Sequence, residues 1–276
     1  MTLRAIRILK EVALIACEDT RRTSRLLQAH GITTATTSYF EHNEKWKGER
    51  ILELVRGGKS AALVSDAGTP GISDPGYRLV REARAEGLAV IPVPGPSAVV
   101  AALSVSGLPS DRFLFVGFLP SRPVARGKAL AELAAARETL VFYESPLRVV
   151  ATLTEMLSAF GDREIFLCRE ATKMHEEYVR GATSAVLASL AARSEVKGEI
   201  VLVVSGAGDA PPATAEDVAT TYAALVSAGR TRREAVKETA RRFSLPARDV
   251  YAQVLREQKG ASTAEEVAIT SGERRR

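Results

Sequence analysis

A loop rich in glycine and proline, Ser65–Gly76, follows the apolar run Ala61–Val64. Ligands of α/β proteins bind where such loops leave the carboxyl ends of strands. The loop matches neither GxxxxGKS/T nor GxGxxG, so it disfavours the usual ATP and NAD sites. From the pattern alone, a ligand-binding loop and a structural turn are equally open, because glycine and proline dominate both. Asp74 and Pro75 are predicted to begin the next helix, as its N-cap and its first residue.

A second loop of the same kind, Val93–Ala98, follows the predicted strand Leu88–Val93 and precedes another helix. Two such loops at strand ends in one domain favour a shared ligand site over a coincidence. Ser97 is predicted to cap the helix with its hydroxyl, which is the usual role of serine at this position. A hydroxyl that faces the ligand cleft is the alternative.

Charged residues gather after the first predicted strand, Ala13–Cys17. Two acids occupy positions 18–19, and Arg21 and Arg22 begin the next helix. The helix macrodipole disfavours cations at this end, so their position favours a phosphate-binding role. Ion pairs with the neighbouring acids are the alternative. Arg25 lies about one turn further along and would extend the same basic face.

Composition sets the broad class of the protein. The chain has 276 residues, of which 46% are hydrophobic and 26% are charged, which is enough for two modest domains. No apolar run reaches the roughly 18 residues of a membrane span, and the N-terminus lacks a signal-peptide core, so a cytoplasmic protein is predicted. The net charge of +5 suits a polyanionic partner such as RNA without requiring one.

Cysteine and histidine residues show no metal-ligand spacing. Cys17 and Cys168 are far apart and neither lies in a CxxC pair, so two reduced, packed thiols are predicted. The three histidines, His30, His42 and His175, are likewise isolated from one another in the sequence. The sequence therefore predicts no metal site.

Alternating strand and helix patterns predict an α/β protein with two α/β/α domains and a ligand cleft between them. The first domain covers residues 1–108 and is expected to hold a largely parallel sheet. A hinge at Gly107–Ser110 leads to a second α/β domain at residues 109–208. Residues 213–260 fit three short basic helices that resemble a helix-turn-helix module, with a solvated helical face as the alternative. The tail at 261–276 is predicted to be disordered.

Six sequence blocks together resemble the tetrapyrrole methylase superfamily of S-adenosylmethionine-dependent enzymes, and within it the members that act on small-subunit ribosomal RNA. They occur in the family order and cover nearly the whole chain. The blocks are Cys17–Thr23, Ser65–Gly76, Pro94–Ala98, Phe142–Arg148, Cys168–Glu177 and Lys197–Val203.

This resemblance implies a homodimeric methyltransferase that binds S-adenosylmethionine between its two domains. The implied reaction is methylation of the ribose 2′-hydroxyl of a decoding-centre cytidine in 16S rRNA, either as free RNA or in the small ribosomal subunit. Two other functions stay open. One is a small-molecule tetrapyrrole C-methyltransferase, and the other is a non-catalytic RNA-binding or ribosome-assembly factor.

The resemblance also implies the roles of individual residues. The implied cofactor-binding residues are Asp66, Ala67, Gly68, Thr69, Pro70, Gly71, Ile72, Ser97, Ala98, Tyr143, Gly198 and Glu199. A ribose hydroxyl is weakly acidic, so a group that accepts or orients its proton would help, and the candidates by position are Glu18, Glu144, Glu170, Lys173 and His175. For Glu170 and Lys173 a simple surface ion pair is the alternative. The expected RNA-binding residues are Arg21, Arg22, Arg25 and Arg169.

The printed sequence departs from the family pattern at its start. Family members begin with an apolar strand and a loop of the kind VATPIGN, ahead of the helix that starts here at Thr2. The first domain is therefore expected to lack its first strand, which would leave a strand edge unpaired and remove one wall of the cofactor cleft. A start assigned too late and an impaired form of the enzyme are the two hypotheses.

Overall fold

The computed structural model describes residues 1–208, 215–243 and 246–254. The chain divides into two compact units, Met1–Ala207 and Gly208–Arg276. The first unit contains two β-sheets with helices packed on them, so the predicted α/β class is confirmed.

The first sheet has three parallel strands, which are β1 Leu14–Cys17, β2 Thr36–Ser38 and β3 Ala61–Val64. They lie in the order β2-β1-β3, as expected for a parallel sheet built from strand and helix repeats. The surrounding helices are α1 Leu3–Glu11, α2 Thr20–Ala29, α3 Glu44–Arg56 and α4 Tyr77–Ala85. Thr2 caps α1, because its side chain accepts a hydrogen bond from the Ala5 amide at 3.2 Å.

Alternate residues of β1 pack on opposite faces of this sheet. Ile15 joins a cluster from the α1 and α2 side that contains Leu9, Val12, Leu27 and Ile32. Ala16 joins a cluster from the α3 and α4 side that contains Tyr39, Ile51, Leu52, Leu79 and Ala83. Helices therefore cover both faces, and the functional loops are left at the strand ends.

The predicted strand at Leu88–Val93 is wrong. No described strand pairs with these residues, and the three-stranded sheet ends at β3. Pro92 lacks the amide N–H that a sheet ladder needs, and residue Ile91 is 68% exposed. This segment instead runs as an irregular connection into the second loop.

The predicted start of α4 is also wrong. The helix has Gly76 as its N-cap, two residues after Asp74. The carbonyl of Pro75 accepts a hydrogen bond from the Gly71 amide, so the chain is still folding back on its own loop at this point. Asp74 therefore belongs to the loop and not to the helix.

The second sheet has five strands, which are β4 Phe113–Phe118, β5 Thr139–Glu144, β6 Glu164–Arg169, β7 Glu177–Ala182 and β8 Ile200–Val204. Their order is β4-β5-β8-β6-β7. β4 and β5 pair in parallel, whereas the other three neighbouring pairs are antiparallel. Ile200 pairs with both Glu144 and Arg169, so β8 starts at the edge where β5 and β6 end.

Helices cover both faces of this sheet as well. They are α5 Ala98–Ser106, α6 Pro123–Leu133, α7 Val149–Phe160 and α8 Thr183–Ala191. One face of the sheet packs with α6, α7 and α8 in a large apolar cluster. The other face packs with α5, through Val99, Ala102 and Leu103 against Val201 and Val203. The helix that follows the second loop therefore rests on the second sheet.

The second unit contains α9 Ala215–Ser227 and α10 Arg232–Phe243, and residues 247–254 are also helical. Their apolar core consists of Val218, Tyr222, Ala235, Ala240, Val250 and Val254. The three predicted helices are thus present where this unit is described, and the resemblance to a helix-turn-helix module stays a prediction. The predicted tail at 261–276 lies outside the described residues.

Two further findings bear on the sequence predictions. Cys17 and Cys168 are free and buried, as predicted. In the described ranges, every helix is too short or too polar to cross a membrane.

Candidate active site

The loop 65–76 extends from the first sheet to the second. The Gly71 amide donates to the Pro75 carbonyl at 3.2 Å, which holds the loop in a closed turn. At the tip, Ser73 Oγ lies 3.2 Å from the place where a Cβ on Gly117 of β4 would stand. The loop therefore lies between the edges of both sheets.

Gly76 closes this loop in a conformation that suits glycine alone. Its φ is 137°, and a Cβ at this position would lie 2.7 Å from Leu63 Cδ2 in β3. Its amide also donates to Glu44 Oε1 at 3.0 Å. The exit of the loop is therefore fixed between β3 and α3.

Asp66 stands at the start of the loop and faces the N-terminus of α2. Its Oδ1 accepts from the Asp19 amide at 3.3 Å, and its Oδ2 accepts from Arg22 Nη1 at 3.2 Å. The carboxylate side chain is 17% exposed, whereas the Arg22 side chain is 72% exposed. One predicted cofactor-binding residue and one predicted RNA-binding residue are thus in direct contact.

The second loop approaches the first at Thr69, whose hydroxyl donates to the Pro96 carbonyl at 3.4 Å. Ser97 is the N-cap of α5 by position, but its hydroxyl makes no capping hydrogen bond, so that prediction is wrong. One first-turn amide, that of Val99, is directed instead to the hydroxyl of Tyr143. The contact of Ser97 with a cofactor stays a prediction.

Asp74 is a site residue that sequence reasoning missed, because the pattern Asp-Pro-Gly before a helix is typical of an N-cap. The residue is half-buried, and burial raises the pKa of its carboxyl. The negative charges of Glu18, Asp66 and Glu199 raise the pKa further, while a hydrogen bond with Ser65 opposes the rise. Four carboxyl groups from three separate segments therefore face one region.

The Tyr143 hydroxyl faces the same region from β5. Burial raises the pKa of Tyr143, and the negative charges of Asp74 and Glu199 raise it further. Its ring packs against Phe115 in a T-shaped pair with centroids 5.1 Å apart. Tyr143 therefore forms a rigid aromatic wall that ends in a polar group.

Gly198 and Glu199 reach the site immediately before β8. Gly198 has a φ of 93°, and a Cβ there would lie 2.2 Å from Glu170 Cγ. The Glu199 amide donates to Glu170 Oε1 at 2.8 Å, and the Glu170 amide donates to the Glu199 carbonyl at 2.8 Å. The end of β6 and the start of β8 are thereby joined, and the join requires glycine at 198.

Lys173 pairs with both of these glutamates. Its Nζ lies 2.9 Å from Glu170 Oε1 and 3.0 Å from Glu199 Oε2. The hydrogen bond with Glu170 raises the pKa of the ammonium, and the hydrogen bond with Lys173 lowers the pKa of the Glu170 carboxyl. Both groups are therefore charged at neutral pH, and the predicted alternative of a surface ion pair is present.

Three non-glycine residues with an unusual backbone conformation lie in the loops around this site. Within the described ranges, the non-glycine residues with positive φ are Ser73 at 59°, Glu170 at 52° and Thr172 at 65°. Such conformations cost on the order of 1–3 kcal/mol and persist where the surroundings fix them, often at functional sites. Both segments with strained backbone contribute to the region around Asp74 and Glu199.

Comparison with known proteins identifies the family of this chain. The model of the family Tetrapyrrole (Corrin/Porphyrin) Methylases matches residues 1–187. The chain belongs to this family. The predicted resemblance is therefore confirmed.

Two curated relatives of this tetrapyrrole methylase carry the name ribosomal RNA small subunit methyltransferase I. The protein of Halalkalibacterium halodurans is 43% identical over 260 residues, which cover 91% of this chain and 88% of that protein. The protein of Synechocystis is 42% identical over 254 residues, which cover 91% of each. A solved structure of the methyltransferase CobJ has a TM-score of 0.55 at 20% identity, and the match covers 76% of this chain and 90% of that one. The last comparison supports the fold.

The predicted RNA-binding arginines of this family member differ in whether they form ion pairs. Arg21 pairs with Asp19 at 3.3 Å, and Arg22 pairs with Asp66, so the alternative of ion pairing is present for both. Arg25 is exposed and makes no ion pair with any described residue. A role of these residues in binding RNA stays a prediction.

Arg169 is held within the second sheet. Its Nε lies 2.7 Å from Glu177 Oε2, and its Nη1 donates to the Lys197 carbonyl at 3.2 Å. Arg193 binds the same carboxylate with both Nη atoms. Glu177 therefore has a pKa lowered to about 2, chiefly by Arg193 and then by Arg169. Arg169 orients the strand ends beside the site through these contacts.

The two remaining candidates for handling a proton lie in different settings. Glu144 is buried and its oxygens accept hydrogen bonds from the Ser145 amide, Arg148 and Thr152, so its role is structural. His175 is exposed and makes no side-chain hydrogen bond within the described part of the chain. Among the described residues, no three His, Cys, Asp or Glu side chains are placed to bind one metal ion.

Proposed function

We propose that this protein is an S-adenosylmethionine-dependent methyltransferase of small-subunit ribosomal RNA. The proposed reaction transfers a methyl group to the ribose 2′-hydroxyl of a decoding-centre cytidine in 16S rRNA. The observation that carries the proposal is the similarity over nine-tenths of the chain to proteins named for this RNA. The proposal includes a homodimer in the cytoplasm, with the small ribosomal subunit or free 16S rRNA as partner.

The charges of the site support a cationic cofactor. The carboxyl group of Asp74 faces the negative charges of Glu18, Asp66 and Glu199. Such a site repels the phosphates of ATP or NAD and favours a sulfonium ion and an amino group. When bound, S-adenosylmethionine supplies an electrophilic methyl group.

The residues proposed to hold the cofactor come from both sheets of the first unit. Asp66 Oδ2 would accept from a hydroxyl or amino group, and the backbone of residues 66–72 would recognise the adenine. Ser97 and Ala98 would contribute from the start of α5. Tyr143 and the segment Gly198–Glu199 would close the opposite wall.

Methyl transfer from a sulfonium ion is an in-line displacement, so the protein acts mainly by positioning the hydroxyl and excluding water. A bond would form between O2′ and the methyl carbon while the sulfur–carbon bond breaks and its electron pair stays on sulfur, and the hydroxyl proton would pass to the carboxylate of Glu18. Lys173 is an ammonium held by two carboxylates, so we assign it to binding RNA and not to accepting this proton. Glu18 makes no side-chain hydrogen bond to the described residues and is the proposed group that orients the hydroxyl.

The deciding experiment uses small ribosomal subunits that lack ribose methylation. They are incubated with the protein and labelled S-adenosylmethionine, and any 2′-O-methyl group is mapped. We expect label at one decoding-centre cytidine, a loss of at least tenfold in Asp66→Ala, and normal labelling in Glu164→Gln. Glu164 begins β6, at the end of that strand opposite the site.

The outcomes distinguish the alternatives. Absence of label on both free RNA and subunits, together with calorimetric binding of the cofactor, would indicate the small-molecule C-methyltransferase. Binding of RNA without binding of the cofactor would indicate a non-catalytic assembly factor. Either result would overturn the proposed reaction.

A further inference from the structure

Arg22 can separate from Asp66 while the Asp66 carboxylate keeps its position. Asp66 is fixed without Arg22, because its Oδ1 accepts from the Asp19 amide. Arg22 uses the other oxygen, Oδ2, at 3.2 Å and is 72% exposed. Solvent screens an ion pair whose cation is this exposed, so separating Arg22 from Asp66 costs little.

The oxygen that Arg22 covers is the one that a ligand of Asp66 needs. Asp66 Oδ1 already accepts an amide hydrogen bond from Asp19, so a hydroxyl or amino group of the cofactor would bind at Oδ2. Because the Asp66 side chain is only 17% exposed and Arg22 covers this oxygen, we expect binding there to displace the guanidinium of Arg22. The cofactor and Arg22 therefore compete for one carboxylate oxygen.

Once released, Arg22 lies next to another free cation. Arg25 is one turn along α2 on the same side, is exposed and makes no ion pair within the described residues. A guanidinium binds a phosphate with two parallel hydrogen bonds, and two neighbouring guanidinium groups bind it more strongly. The released arginine therefore has a stronger ligand available on an RNA backbone.

We propose that Arg22 exchanges Asp66 for an RNA phosphate and thereby couples cofactor binding to RNA binding. The proposal rests on the proposed function. Each ligand removes the same competing contact, so each must strengthen the other by the same factor. Because the coupling cannot exceed the strength of one exposed ion pair, we expect a factor of up to about five.

The test measures the dissociation constant of S-adenosylmethionine by calorimetry, with and without a saturating 16S rRNA fragment that contains the decoding centre. In the unaltered protein, RNA should lower the constant about threefold to fivefold. In Arg22→Ala the constant without RNA should already be low, and RNA should leave it unchanged. Arg22→Lys should keep part of the effect, because the ammonium also pairs with Asp66.

Arg25→Ala is the matched control, since Arg25 lies on the same helix face and makes no contact with Asp66. It should weaken RNA binding but keep the threefold to fivefold effect once RNA is saturating. Two results would overturn the exchange while leaving the proposed function intact. One is that RNA does not change the dissociation constant of S-adenosylmethionine in the unaltered protein. The other is that RNA lowers this constant in Arg22→Ala as much as it does in the unaltered protein. Failure of the unaltered protein to bind either ligand would overturn both.

Discussion

A cation bound near Asp74 would change the pKa of its carboxyl group. Its pKa is raised because the residue is half-buried and faces the charges of Glu18, Asp66 and Glu199. A positive charge placed among these carboxylates favours the ionised form of Asp74 and so lowers its pKa. At a pH near the raised pKa, where the free carboxyl is partly protonated, binding of a sulfonium cofactor therefore releases protons from Asp74.

The sign of the pH dependence follows from this release. A ligand whose binding releases protons binds more tightly as the pH rises through the raised pKa of the free protein. We expect the dissociation constant of S-adenosylmethionine to fall with rising pH, and Asp74→Asn to abolish that slope. Calorimetry in two buffers of different ionisation enthalpy measures the protons released.

Glu164→Gln is the control for this experiment, because Glu164 lies at the far end of β6 in an exposed pair with Arg180. It should keep the slope of the unaltered protein. A slope retained in Asp74→Asn would show that another group releases the proton.

Glycine spacing and the family resemblance predict Asp66 and its loop as part of the candidate site, but they do not predict Asp74. Asp74 was assigned to a helix cap, because Asp-Pro-Gly before an amphipathic run has the same local signature. Only the fold of the loop back towards β4 and β5 shows that this carboxyl faces Tyr143.

At the scale of elements, the join between β6 and β8 depends on one glycine. Gly198→Ala places a methyl group 2.2 Å from Glu170 Cγ and forces alanine to adopt a φ of 93°. We expect a loss of about 2 kcal/mol or more in the free energy of unfolding, because both strain and collision act together. Urea unfolding monitored by circular dichroism measures the loss.

Gly127→Ala in α6 provides the matched substitution. A Cβ at Gly127 meets no atom within 4 Å, and the residue lies within a helix. This change should raise the free energy of unfolding by about 0.5–1 kcal/mol, because alanine loses less backbone entropy. Equal effects of the two substitutions would contradict the assigned collision with Glu170.

The carboxylate of Glu177 joins β7 to β6 and to Arg193, which follows α8. Its folded pKa of about 2 lies below the ordinary value, so its stabilising effect is complete above the unfolded pKa. The effect is lost as the pH falls towards 2. Glu177→Gln should lower the free energy of unfolding by about 2 kcal/mol at neutral pH and flatten its decline in acid. Glu164→Gln, which removes an exposed ion pair between β6 and β7, should change it by less than about 1 kcal/mol.

Four strands of the second sheet are predictable because each is a short apolar run between turn residues, whereas β7 is largely polar. The segment Leu88–Val93 has the same composition, yet it pairs with no described strand. Strand formation requires a neighbour that donates and accepts hydrogen bonds, and no local pattern reports that neighbour. The packing of α5 on the second sheet was missed for the same reason.

At the scale of the whole molecule, the distribution of charge predicts different binding regions for the two proposed ligands, RNA and S-adenosylmethionine. The chain carries a formal charge of +5, although the region around Asp74 is negative. Arg21, Arg22 and Arg25 lie on α2 beside that region. A polyanion is therefore expected to bind outside the cleft while a cation occupies its interior.

Salt dependence tests this arrangement, because each phosphate contact of a cation releases about one counterion from RNA. The logarithm of the rRNA association constant should fall linearly with the logarithm of the salt concentration. Arg25→Ala should reduce the magnitude of the slope by about 0.7–1, without a change in the nucleotide that is methylated.

Arg112→Ala is the control, since Arg112 is 78% exposed and precedes β4, at the sheet edge opposite the site. If Arg112→Ala reduced the slope as much as Arg25→Ala does, the RNA would follow the overall charge of the protein and not the basic face of α2.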